Sequence, residues 1–400
     1  MLLLYTGAFA QVSPGADTAG IKTGTLPATR QVDMADVFKK VLHLHSKAKT
    51  GDEGHNLHFS IFPAIGYTLQ TRLAAILAGN VAFKNGSEQD SLVKVSTVTA
   101  SIAFTQNNQV VVPAQSNIWS KGGNYNFVGD WRISKYPQDT YGLGGNSKID
   151  SADLIDYSYF RIYQTMLRRV SGDFYVGVGY NLDYHWGIKE AGYEDGSKSD
   201  FDEYGPAKKT VSSGISLDLL YDGRDDPIYP TAGAYANIIY RNNYKFLGSD
   251  NNWQSLLVDA RKYFHFPARS NNVLAFWTYD WLVLSGTPPY LDLPSTAWDT
   301  YTNTGRGYIQ GRFRSRQMLY LESEYRYGIT RNGLLGGVVF VNAQSFAEWP
   351  GNYTFKYVQP AAGLGLRVKL NKVSKTNIDI DYGFGLHGSR GLFINIAEAF

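Results

Sequence analysis

Phe174-Tyr175-Val176-Gly177-Val178-Gly179-Tyr180-Asn181-Leu182-Asp183-Tyr184-His185-Trp186 is the stretch that decides the fold. Phe174, Val176, Val178, Tyr180, Leu182, Tyr184 and Trp186 share one parity, and Tyr175, Gly177, Gly179, Asn181, Asp183 and His185 share the other. Successive side chains of a strand point to opposite faces, so this is a strand with one apolar and one polar face. It is long enough to cross a bilayer at a tilt, for which about 9 to 11 residues suffice. The pattern recurs along the chain. Ile378, Ile380, Tyr382 and Phe384 oppose Asn377, Asp379, Asp381, Gly383 and Gly385, while Leu364, Leu366, Val368 and Leu370 oppose Gly363, Gly365, Arg367 and Lys369.

A soluble sandwich would bury such faces against a second sheet. No helical period follows residue 56 to supply a covering layer, and an open sheet of this size in water would expose its apolar face and its edges. A closed barrel in lipid hides both, because no backbone group stays unpaired in hydrocarbon. Composition agrees: only 18% of residues are charged, whereas 29 Tyr and 41 Gly suit interfacial girdles and a close-packed polar lumen. No apolar run reaches the length of a transmembrane helix, so strands must do the crossing. A net charge of +3 without a basic stripe argues against nucleic acid as a partner. The absence of cysteine removes disulfides and thiolate metal sites.

Residues 1–10 read as the remnant of a secretory signal ending in Ala8-Phe9-Ala10, with cleavage expected before Gln11. Residues 11–56 read as a periplasmic leader in which Asp33 caps an amphipathic helix running to about Ala48. Met34, Val37, Phe38, Val41, Leu42 and His45 share its apolar face, and Lys39, Lys40, Lys47 and Lys49 suit an anionic surface. His43, His45, His55 and His58 lack a common face and accompanying carboxylates, so neither metal nor cofactor is expected. From Leu57 to Phe400, turn signals divide the chain into about sixteen strands. Long connections at 138–154, 189–207, 287–314 and 347–354 follow odd-numbered strands, and short turns such as Ser171-Gly172 follow even ones. Both ends of the barrel are then periplasmic. The expected fold is all-β: an antiparallel transmembrane β-barrel of about sixteen strands with a short N-terminal amphipathic helix, in a Gram-negative outer membrane.

Several motifs remain. The longest connection contains Gly305-Arg306-Gly307-Tyr308, followed by Glu324-Tyr325-Arg326, Phe340-Val341-Asn342-Ala343-Gln344, Gly363-Leu364-Gly365-Leu366-Arg367 and Asp379-Ile380-Asp381-Tyr382-Gly383-Phe384-Gly385. An earlier turn runs from Asp222 through Arg224, Asp225, Asp226, Pro227 and Pro230 to Gly233. Its prolines and glycine close a tight periplasmic corner in which Asp222, Arg224 and Asp225 satisfy one another and the backbone. The alternating ligand spacing of a calcium loop is absent.

Taken in this order, the motifs resemble the bacterial surface antigen family. That family is the barrel of the outer-membrane assembly-factor superfamily, which includes BamA-type insertases and two-partner-secretion transporters. The likeness is strongest over about residues 208 to 400 and implies that the loop at 287–314 folds back into the lumen. It places Arg306 near Glu324, which faces inward, and near Asn342, which stands with Gln344 where the family usually carries Asp and Gly. Phe400, sharing a face with Leu392, Ile394 and Ile396, resembles the terminal aromatic by which outer-membrane barrels are recognised for assembly. Closure pairs this last strand, which carries Ile394 near Ile61, with the first, where Pro63 and Gly66 weaken the ladder. Family members usually carry periplasmic polypeptide-transport-associated domains, and neither these nor a lipase domain is found in this sequence, which reads as a minimal member.

The resemblance implies protein insertion or translocation through the loop and the weak seam, with outer-membrane lipid, other envelope proteins or a second copy as partners. A plugged diffusion channel or structural barrel subunit is the alternative. No enzyme is expected, since no nucleophile turn or Ser, His and acid set is present.

Overall fold

The structure, a computed structural model, describes residues 31–34, 36–37, 57–85, 95–193, 196–351, 354–372, 375–396 and 398–400. The expected signal remnant, and the helix at 33–48 except for positions 33, 34, 36 and 37, lie outside the described residues.

Alternation closes into a single antiparallel sheet. Its first half comprises β1 (Leu57–Thr68), β2 (Arg72–Lys84), β3 (Val95–Thr105), β4 (Val110–Trp119), β5 (Tyr125–Lys135), β7 (Asp153–Ser171), β8 (Phe174–Glu190) and β9 (Lys209–Asp222). The second half comprises β10 (Gly233–Asn243), β11 (Trp253–His265), β12 (Val273–Gly286), β13 (Gln317–Gly328), β14 (Leu335–Phe346), β15 (Val358–Lys369), β16 (Asn377–Gly385) and β17 (Arg390–Ile396). These sixteen form the barrel, and the short β6 (Gln138–Thr140) extends β7 within a long connection. Each strand pairs with its sequence neighbours, and β1 returns to β17 to close the ring.

Burial follows parity. Along β8, Tyr175, Gly177, Gly179, Asn181, Asp183 and His185 are buried, whereas Val176, Val178 and Tyr180 are exposed. Leu217 and Leu219 on β9, Leu321 on β13 and Leu364 on β15 continue the same outward belt. An apolar belt on this scale, on a sheet that no second layer covers among the described residues, is the signature of strands facing hydrocarbon. Among the described residues, no helix is long and apolar enough to cross a membrane.

Inside, the lumen is packed rather than open. Trp277, Tyr308, Phe313, Tyr320, Phe346 and Phe400 form one buried cluster. Tyr136, Tyr157, Phe201, Tyr290 and Leu293 form another. Tyr290 and Leu293 come from the connection after β12, and Phe201 comes from a one-turn helix at Asp200–Tyr204 with a Ser199/Asp202 capping box. Its ring meets Tyr290 edge-on at 5.1 Å, so two outer connections lock together over the same end of the barrel.

At the other end, the backbone N–H of Val32 donates to Asn332 O, and the Lys372 ammonium meets Asp36 at 2.6 Å. The segment preceding β1 therefore touches the β13–β14 and β15–β16 turns, the short-turn side of the barrel.

The sidedness makes a direct test. Leu217→Arg places a cation in the lipid-facing belt and should lower unfolding stability in phospholipid vesicles by about 2 to 4 kcal/mol. The inward Asn181→Ser should change it far less. Equal effects in urea titrations would contradict the assignment of faces.

Candidate lumen site around Arg306

One hydrogen-bonded row of the wall explains the position of the long loop. Reading across β13 to β17, the partners are Glu324, Phe340, Gly363, Gly383 and Gly391. Glycines at successive wall positions leave a trough. A side chain at Gly363 would meet the Phe340 ring at 2.3 Å, and one at Gly383 would meet Gly307 N at 2.7 Å. The loop backbone thus lies directly on the wall. Gly307 itself has φ +108, a region that only glycine enters at low cost, and its own Cβ would press on Ala361 at 2.8 Å.

This close approach drives the Arg306 side chain into a set of acids. Its guanidinium lies 3.9 Å from the Phe340 ring centroid and donates to Asp381 at 2.6 Å and to both Glu322 and Glu324. Arg306 is 2% exposed and Glu324 fully buried, so the pairing occurs out of water, where an ion without partners would be intolerable. Asn342 meets the other side of the same residue, donating through Nδ2 to the Arg306 carbonyl at 2.9 Å. Gln344 accepts from the Thr296 hydroxyl and flanks Gly305. Tyr308 donates to Pro360 O of β15 and accepts from Leu386 N–H in the turn after β16, tying the loop to both.

Two of the three carboxylates around Arg306 are additions to the sequence reading. Glu322 shares the inward parity of Glu324, and Asp381 stands on β16 on the same face as Gly383. Parity gives their face but not their depth against the loop tip; only the register does. The network then spreads through Arg326, which bonds Glu324, and Arg367, which bonds Asp381 at 2.5 Å and Glu398 at 3.0 Å.

Phe400 corrects an expectation. Instead of continuing the outward face of Leu392, Ile394 and Ile396, it is buried and stacks on Trp277 at 5.1 Å. The strand ends at Ile396, so parity no longer governs the last residues of the chain. The Phe400 carbonyl accepts from Arg326 and the Ala399 carbonyl from Asn303, while Glu398 accepts from Asn377. At the seam, the described residues of β1 and β17 register only at Tyr67 and Ile394. Pro63 and Gly66 pair with Leu77 and Ala74 of β2 on the other side.

In the corner between β9 and β10, Arg224 forms a two-pronged contact with Asp222, both arms at 2.8 Å. Asp225 accepts from Thr231 N–H and Ala232 N–H, and Pro230 is buried. A side chain at Gly233 would lie 2.1 Å from Gly223 O at φ +100, so only glycine fits. Among the described residues, no group of three or more His, Asp or Glu is placed to hold a metal.

Earlier in the loop, Asp292 accepts from the Ser212 hydroxyl at 2.5 Å and lies 3.7 Å from His185 Nδ1. Burial, then the nearby Asp183 charge, pushes its carboxyl up to about 7. A raised acid keeps its proton in the folded state above the pH at which the unfolded chain loses it. The contribution is therefore present below about pH 4 and declines as pH rises toward 7. Asp292→Asn should flatten this part of the stability profile measured by denaturant midpoint, and an unchanged pH slope would refute the assignment. Arg306→Ala should destabilise the barrel by about 3 to 5 kcal/mol, because it strands buried carboxylates. Arg306→Lys should recover little, since a point charge cannot span acceptors on two strands. Full recovery by lysine in heat-modifiability assays would show that geometry is irrelevant.

Comparison with known proteins agrees with this architecture. No curated protein matches the sequence. Among solved structures, BamA from Haemophilus ducreyi lacking POTRA domains 1-3 superposes with TM-score 0.55 at 14% identity, over 84% of this chain and 70% of that one. CdiB from Acinetobacter baumannii gives 0.53 at 13% identity over 86% and 60%, and CdiB from Escherichia coli gives 0.53 at 12% over 86% and 62%. The chain thus spans less than two thirds of either CdiB. The Omp85 superfamily domain matches residues 97–390, most of the barrel. With sixteen strands carrying an apolar outer belt, the protein resides in a Gram-negative outer membrane. This chain belongs to the Omp85 superfamily.

Proposed function

We propose that the chain inserts or translocates polypeptides at the outer membrane by parting β1 from β17, with the Arg306 loop holding the lumen closed at rest. The observation that carries this reading is the unequal pairing of β1. It registers with β2 from Leu57 to Thr68, yet among the described residues its ladder with β17 holds a single registered pair, Tyr67 with Ile394. A strand edge left open in hydrocarbon keeps unsatisfied donors and acceptors, and it offers a template on which an incoming strand can add. Parting one registered pair forfeits little ladder energy, whereas parting β7 from β8 would break a long one.

The loop supports the same reading from inside. Its ion pairs, the Tyr308 bridges and the contact of Arg312 with Ser147 fill the lumen, which disfavours a standing diffusion pore. In planar bilayers, the wild-type chain should therefore give small, erratic openings, and Arg306→Ala should give larger ones. Steady ion-selective conductance from the wild type would instead favour the channel alternative.

The decisive test is a staple at the registered pair. Tyr67→Cys with Ile394→Cys, oxidised in proteoliposomes, should abolish insertion of a reporter barrel, and reduction should restore it. Undiminished insertion with the staple closed would remove the seam from the mechanism.

A further inference from the structure

Asp280 stands on the wrong face of the wall. Along β12, Val273, Ala275, Trp277 and Tyr279 are buried toward the lumen, so Asp280 shares the outward parity of Leu274, Phe276, Leu282 and Leu284. On its own strand Thr278 and Leu282 flank it on the same face, with Phe276 and Leu284 beyond them, and Val258 of β11 lies directly opposite. Its depth is therefore near the middle of the lipid-facing band, where an ionisable group is rare and marks function by default.

The wall is interrupted at the same place. The register of β12 with β13 runs from Val273 to Thr278, skips Tyr279 and Asp280, and resumes at Trp281 opposite Met318. The Asp280 carboxylate accepts from Tyr320 N–H at 3.2 Å and from the Thr278 hydroxyl at 3.3 Å. It is half-buried, and among the described residues it forms no ion pair. Its hydrogen bonds come only from neutral groups, so ionisation at this depth goes uncompensated until a cation is brought beside it.

We propose that the outer face centred on Asp280 docks a membrane-spanning segment of another envelope protein, apolar along its length and carrying a Lys or Arg at mid-membrane depth. Charge complementarity selects this occupant. A second copy, related by an axis normal to the membrane, would keep its own Asp280 at the same depth and present like charge. Lipid headgroup ammonium ions lie at the interface, away from this depth.

The probe is a set of dye-labelled transmembrane peptides of about 20 residues, a Leu/Ala host with a central Lys, Leu or Glu. Each is mixed with the purified full chain in vesicles and read by energy transfer. The Lys peptide should associate about fivefold more tightly than the Leu peptide, and the Glu peptide no better than Leu. Asp280→Asn should erase the preference and Asp280→Glu should keep it, with both barrels heat-modifiable like the wild type. Equal association of Lys and Leu peptides with the wild type would overturn the proposal. So would a Lys preference that survives Asp280→Asn. Should Asp280→Asn fail to fold, Val258→Trp, which adds bulk beside the carboxylate, takes its place. It must then weaken the Lys peptide for the proposal to stand.

Discussion

Charge cannot be left alone in a dry lumen, and most of what distinguishes this barrel comes from how Arg306 meets that constraint. Three guanidinium groups, Arg306, Arg326 and Arg367, face five carboxylates, Glu322, Glu324, Asp379, Asp381 and Glu398. The acid surplus means that no arginine of the set is spare. Arg306 is the one that arrives from a loop rather than from the wall, so the loop is held wherever its guanidinium must be. The glycines at 307, 363 and 383 are the steric counterpart: without a trough, the loop backbone could not come close enough to deliver the charge.

The same loop reaches the seam. Asn303 donates to the Ala399 carbonyl at 2.6 Å and accepts from Asn395 Nδ2 at 3.2 Å, thereby gripping the last strand on both sides of the point where it leaves the sheet. Phe400 then settles on Trp277, and Arg326, already paired with Glu324, closes the path back to the Arg306 cluster. Loop, wall and strand end form one contiguous set of bonds. From the loop tip these bonds run to the end of β17, the strand that registers with β1 through Ile394.

Much of this architecture is legible in the sequence, because strand parity is a local property. Sixteen strands, their faces, the alternation of long and short connections and the inward orientation of Glu324 all derive from a period of two. The features that escape it depend on register or on irregularity. Asp381 is written plainly in its motif, but its meeting with Arg306 depends on how β13 to β16 are staggered. Phe400 defeats the parity rule because β17 stops short of it. Asp280 reads in sequence as one polar residue within an apolar strand, and its outward direction emerges only once Trp277 and Tyr279 are fixed inward. The small β6 ribbon arises from tertiary pairing with β7 and has no alternation of its own to announce it.

The most direct measurement is hydrogen–deuterium exchange of the folded chain in lipid, resolved over the loop that carries Arg306. If buried ion pairs and wall contacts hold it, amides at 303–308 should exchange at rates comparable with the paired strands β13 and β14, far slower than the solvent-facing turn at 267–272. Exchange of 303–308 as fast as that turn would mean that the loop is not held in the lumen, and Arg306 would lose its place as the anchor of the barrel interior.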